Sequence, residues 1–156
     1  MPSHPLTPEF AQLALSVRQP WAELILSGRK SMEIRTWSTE YRGPVWLHTG
    51  QKRDPALEQQ FGIEVPFVGG FIGQIYIASV IRLDLDRWTR WRERHLVDGP
   101  MPTDAYGWVL RDPLRFARPI RAPGELRLFY PSSAVDRELR EALWEGLHTK
   151  EGPNMR

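Results

Sequence analysis

The sequence predicts an α+β fold that is mostly β: a small barrel of five to seven short, mainly antiparallel strands decorated by two to four helices. Three observations point there. Short segments with period-2 alternation recur between residues 13 and 130, the signature of half-buried strands. Clusters of glycine and proline separate them at short intervals, and such clusters mark turns. The first helical segment is short and is followed at once by another strand, which does not suit a doubly wound parallel sheet.

The elements follow in order. Residues 1–12 are proline-rich and read as an N-terminal tail with one short turn; the domain spans 13–130, and a C-terminal helix and tail fill 131–156. Leu13, Leu15 and Val17 alternate with Ala14, Ser16 and Arg18 as a strand. Gln19-Pro20 opens a helix with proline in its first turn; Trp21, Leu24 and Ile25 form its apolar side, and Gly28 ends it. A strand over 31–37 sets Met32 and Ile34 on one face and Glu33, Arg35 and Trp37 on the other. After a turn at Tyr41-Arg42-Gly43-Pro44, Val45, Leu47 and Thr49 alternate with Trp46 and His48. Asp54-Pro55 starts a short helix. Residues 71–81 form a long apolar strand buried on both faces. Gly69, Gly70 and Gly73 match no phosphate-loop pattern and read as close-packing positions. Leu85, Trp88 and Trp91 mark a helix over 84–96. Three further strands occupy 106–110, 115–120 and 126–130, separated by Asp112-Pro113 and Ala122-Pro123-Gly124. Ser132 or Ser133 caps a last amphipathic helix carrying Leu139, Leu143 and Leu147.

Composition narrows the chemistry. The chain has 156 residues, room for one domain rather than two ordinary ones. It has no cysteine, which removes disulfides, thiolate metal sites and a cysteine nucleophile. His4, His48, His95 and His148 are scattered without metal-ligand spacing, so neither a metal nor another cofactor is expected. No apolar run approaches the ~18 residues of a membrane span, and no secretory signal is visible; a cytoplasmic location is the expectation. The net charge is only +2, yet 18 of the 21 basic residues are arginine, the side chain suited to bidentate phosphate contacts and base stacking.

Residues 15–37 concentrate these groups. A strand end at Arg18-Gln19 meets a helix start at Pro20-Trp21, and Arg29-Lys30 sit in the turn before a strand that sets Glu33, Arg35 and Trp37 on one face. This arrangement can gather Arg18, Lys30 and Arg35, one carboxylate and an indole around a cleft. Cations there would hold phosphates, and an exposed indole would stack on a base. The basic loop Gln51-Lys52-Arg53 after the third strand adds Lys52 and Arg53. His48 reads as a satisfied core residue, and Arg87, Arg90 and Arg94 as a solvated helix stripe.

The segment SVRQPWAELILSGRKSMEIRTW resembles the opening of the ASCH domain, the activating-signal-cointegrator homology domain, which has a PUA-like β-barrel. The resemblance continues through Tyr41-Arg42-Gly43, the strands over 45–49 and 70–80, and YGWVLRDPLRFARPI at 106–120. It implies nucleic-acid binding, with RNA favoured, in a cleft between barrel and first helix. Carried over by residue, it singles out Gln19, Trp21, Lys30, Glu33 and Arg35; Arg42, in the Tyr41-Arg42-Gly43 turn, is a further nucleic-acid-binding candidate. Some smaller relatives hydrolyse N4-acetylcytidine with the same lysine but a threonine at the place of Glu33, and another resembles a metal-assisted ribonuclease. The alternative expectation is therefore a hydrolase of RNA or a modified nucleoside in which Lys30 and Glu33 are catalytic. The carboxylate favours binding, because it holds Lys30 protonated and, when ionised, cannot donate as a hydroxyl does.

Overall fold

A computed structural model describes residues 11–151; the tail expected over 1–12 lies almost wholly outside the described residues. Six strands and five helices follow in the order β1 (Ala14–Ser16), α1 (Trp21–Leu26), β2 (Met32–Arg35), β3 (Gly43–Thr49), α2 (Pro55–Phe61), β4 (Gly70–Arg82), α3 (Leu85–Arg90), α4 (Arg92–His95), β5 (Tyr106–Arg121), β6 (Leu128–Phe129) and α5 (Ser133–Glu151). They build one mixed sheet in the order β2-β5-β4-β3-β1-β6. Every pairing is antiparallel except that of β1 with β3.

The sheet curls until its two sides meet. Arg35, at the end of β2, donates to the Ser16 carbonyl of β1 at 2.6 Å. Arg127, just before β6, lies over the ring of Trp37, just after β2, at 4.7 Å. Side chains rather than a backbone ladder therefore close this α+β, mostly β, barrel-like fold, and they leave a seam.

Several elements differ from expectation for physical reasons. The strands expected over 106–110 and 115–120 are one continuous β5. Tyr76 pairs with Arg111 and Gln74 with Leu114, so Asp112 and Pro113 together face only Ile75. This bulge absorbs a proline that cannot donate to the ladder, with Asp112 at φ +54°. The helix expected over 84–96 breaks at Trp91 (φ −101°, ψ 19°) into α3 and α4, which brings the helices to five. The first helix starts at Trp21 with Pro20 as its N-cap. The strand expected over 126–130 shrinks to two residues because Arg127 adopts a left-handed φ of +59°. β4 is fully buried only over residues 70–73; from Gln74 buried and half-buried residues alternate, and residues 78–81 are all half-buried, so the expected burial on both faces holds for its first four residues alone.

Three apolar clusters hold the layers. Leu15, Val17, Ile25, Val45, Ile75 and Trp108 fill the barrel and seat α1. Trp46, Phe71, Phe116 and Ile120 pack against Leu139 and Ala142 of α5. Leu83, Trp88 and Ala105 form a smaller cluster beneath α3. The indole N–H of Trp46 donates to buried Asp136 at 2.8 Å, so α5 is tied to β3 by a satisfied polar contact as well as by packing. Ser132 caps this helix through the Val135 N–H at 3.2 Å.

Candidate nucleic-acid interface

The seam opens into a cavity of about 440 Å³, within the range of small-ligand sites. Its walls come from the ends of β1 and β2, the loop after β3 and the loop before β6. Arg18, Arg35, Lys52 and Arg127 bring four cations to it, against one carboxylate, Glu125. Trp37 supplies the aromatic surface. Its ring meets Trp108 edge-on at 4.8 Å and carries the guanidinium of Arg127.

The sequence candidates divide. Arg18, Arg35, Trp37 and Lys52 line the cavity. Gln19 is fully buried; its side chain accepts from the Glu23 N–H at 3.0 Å and donates to the Phe67 carbonyl at 2.8 Å, fixing the turn that presents Arg18. Trp21 packs edge-on against Phe61 at 5.8 Å. Arg42 folds back onto the carbonyls of Thr39 and Tyr41, each at 2.8 Å. Arg53 forks onto Glu58 at 2.9 and 2.6 Å; that hydrogen bonding raises the arginine pKa and lowers that of the carboxyl.

Lys30 and Glu33 lie behind the wall. The Lys30 ammonium donates to the His95 carbonyl, sits 4.4 Å over the Trp21 ring and is 3.8 Å from Glu33. Burial lowers its pKa from 10.5 to about 8, against the opposing pull of Glu33 and with a further push from Arg35. Glu33 is buried too and lies 3.5 Å from Arg35. The three charges thus run inward from the seam as cation, anion, cation. The Nε of Arg35 is buried without a partner.

His48 lies behind Ser16, which lines the cavity. Its ring joins the Ser16 hydroxyl and the Ala122 carbonyl, both at 2.9 Å. Burial lowers its pKa, the bond to Ala122 opposing. A neutral ring that donates from Nε2 and accepts at Nδ1 satisfies both contacts, as expected of a core histidine. Gly124 presses on this ring so closely that a Cβ there would stand 2.4 Å from His48 Cε1. The loop over 122–127 is consequently well anchored. Sequence reasoning missed its contribution of Glu125, Leu126 and Arg127. The Pro123-Gly124 turn marked a loop, but nothing local says that it returns to Trp37.

Among the described residues, no three His, Asp or Glu side chains gather as metal ligands, and no helix is long and apolar enough to cross a membrane.

Residues 15–148 match the sequence model of the ASCH domain. A stretch of 44 residues is 46% identical to human activating signal cointegrator 1, covering 28% of this chain and 8% of that protein. The mouse protein of the same name is 45% identical over 42 residues, 26% of this chain and 7% of its own length. These matches span only a small part of the cointegrators. The crystal structure of ASCH from Zymomonas mobilis superimposes with a TM-score of 0.61 at 18% identity, covering 84% of this chain and 94% of the other. A single-substitution variant of that protein gives 0.60, again at 18%, over 84% and 97%. At this identity the likeness concerns the fold.

Proposed function

The chain belongs to the ASCH domain family, and from that membership we propose that it binds RNA, seating an unpaired stretch in the cavity at the seam. The observation that carries this reading is the stack of Arg127 on Trp37 within a ring of cations. A guanidinium plane on an indole offers a surface to a base, while Arg18 and Lys52, both exposed, suit the phosphates on either side. Arg35 is spoken for by Ser16 and Glu33 and acts chiefly to keep the wall in place.

Two features support binding over hydrolysis by Lys30 and Glu33. A general base must come within hydrogen-bond reach of the proton it takes, and neither residue lines the cavity. The Lys30 ammonium is 1% exposed and already donates to a backbone carbonyl.

The test is fluorescence anisotropy with a short single-stranded RNA at several salt concentrations. Two or three phosphate contacts, from Arg18, Lys52 and the charge of Arg127, give a slope of log K against log salt of roughly −1.4 to −2. Lys52→Ala makes the slope shallower by about 0.7, and Arg127→Ala lowers affinity by loss of stacking as well as charge. The reading fails if RNA does not bind at low salt or binds without salt dependence. The matching DNA strand tests the preference for RNA.

A further inference from the structure

Leu126 is 91% exposed, the most exposed of the large apolar side chains among the described residues, and it is the one of them that lines the seam cavity. It does not stand on a loose loop. The Ala122 N–H donates to the Gly69 carbonyl at 3.3 Å, the Ala122 carbonyl is held by His48, and Leu128 pairs with Leu15 immediately afterwards. Between these anchors Arg127 takes a φ of +59°, a conformation unfavourable for any residue with a side chain. The turn directs the Arg127 guanidinium onto Trp37 and leaves its apolar neighbour at the rim, in water.

The rest of the lining carries four cations and one carboxylate, Glu125, and an extended single strand with its phosphates against those cations gives Leu126 little to bury in. Stacked bases do: an apolar side chain that enters a base step is buried between two ring faces, a general device for opening a stack. The nucleotide that leaves a stack most cheaply is one already unpaired. Resting on the RNA reading of the cavity, we propose that Leu126 is a wedge and that the preferred ligand is an unpaired nucleotide flanked by base-paired stem. The base of that nucleotide enters the cavity toward Trp37 and Arg127, while Leu126 fills the gap left between its neighbours. This makes Leu126 a specificity-determining residue for RNA structure rather than for net charge.

The experiment uses two RNAs with the same sequence around the target nucleotide: a hairpin carrying it as a single-nucleotide bulge, and a linear strand. The base beside the bulge is 2-aminopurine, whose fluorescence rises when it loses a stacking neighbour. The wild-type protein is expected to prefer the hairpin by about tenfold, the scale of burying one leucine side chain, and to raise the fluorescence on binding. Leu126→Ser is expected to bring the ratio of the two affinities to within about twofold and abolish the rise, whereas Leu126→Met retains both. Circular dichroism checks that the variants fold. Wild-type binding to both RNAs without preference, or a preference that survives Leu126→Ser, overturns the wedge while the RNA reading stands. Failure to bind either RNA at low salt overturns both.

Discussion

Lys30 is a charge that the fold buries at a cost, and the cost has a pH signature. Its pKa of about 8 lies below its ordinary 10.5, so between those values the unfolded chain binds more protons than the folded one. Stability then rises with pH across that window, and the penalty is fully present below it. The shift corresponds to about 3 kcal/mol. Urea denaturation at pH 7.5 and pH 9.5 is expected to show the wild type more stable at the higher pH, and Lys30→Met to lack most of that gain. An equal gain in the variant would assign it to other groups. Glu33 bears the complementary role. Glu33→Gln removes the anion between two buried or half-buried cations, and leaving such a cluster short of one partner costs about 3 kcal/mol. That loss is expected to shrink above pH 8, as Lys30 gives up its proton, which the same denaturation series reads. The sequence was legible here up to a point. Strand parity set Glu33, Arg35 and Trp37 on one face, and they do share a region. Parity cannot say where a face passes from barrel interior to rim, and that passage falls between Glu33 and Arg35.

At the scale of elements, α5 shows two local terms in competition. Gly146 lies inside this helix, where alanine is preferred by about 1 kcal/mol. A Cβ at that position would stand 2.6 Å from the Arg115 carbonyl oxygen and 3.0 Å from the Ala117 nitrogen. Both are backbone atoms of β5 and cannot rotate away, so the helix must lift, straining the packing of Leu139 and Ala142 for a cost of about 1–3 kcal/mol. Gly146→Ala is therefore expected to lower the melting temperature by a few degrees; a rise would mean that propensity wins and the contact yields. Alternation and capping residues made most elements readable: Asp54 caps α2 and Ser132 caps α5 as their positions suggest. The continuity of β5 was not readable, because Asp112-Pro113 carries the same local signal whether it ends a strand or bulges within one. Only the partner strand β4, with its matching irregularities, decides.

For the whole molecule, a net charge of +2 understates what the seam presents. Many of the arginines are matched by carboxylates elsewhere, as in Arg82 with Asp104, Arg90 with Asp86 and Arg118 with Glu145. Among the described residues, no ion pair engages Arg18, Lys52 or Arg127. Composition and the resemblance of residues 15–37 pointed to cations around a cleft. They could not show that the fourth wall arrives from residues 125–127. That wall depends on a two-residue strand pairing with the first strand of the chain, and contacts of such sequence separation leave no trace in periodicity.

The seam also bears on how copies of this chain behave when concentrated. A curled sheet that does not close by a ladder keeps two lateral strands, here β2 and β6, and a bare lateral strand is a template for another molecule's backbone. β6 offers two residues and is followed within two positions by Pro131, too little to pair with. β2 offers four, but Arg35 already occupies the Ser16 carbonyl across the gap, with Glu33 and Lys30 directly behind. A strand adding itself there would have to displace Arg35 from that carbonyl. The Arg35 contact that closes the seam thus also guards the fold against edge-to-edge aggregation.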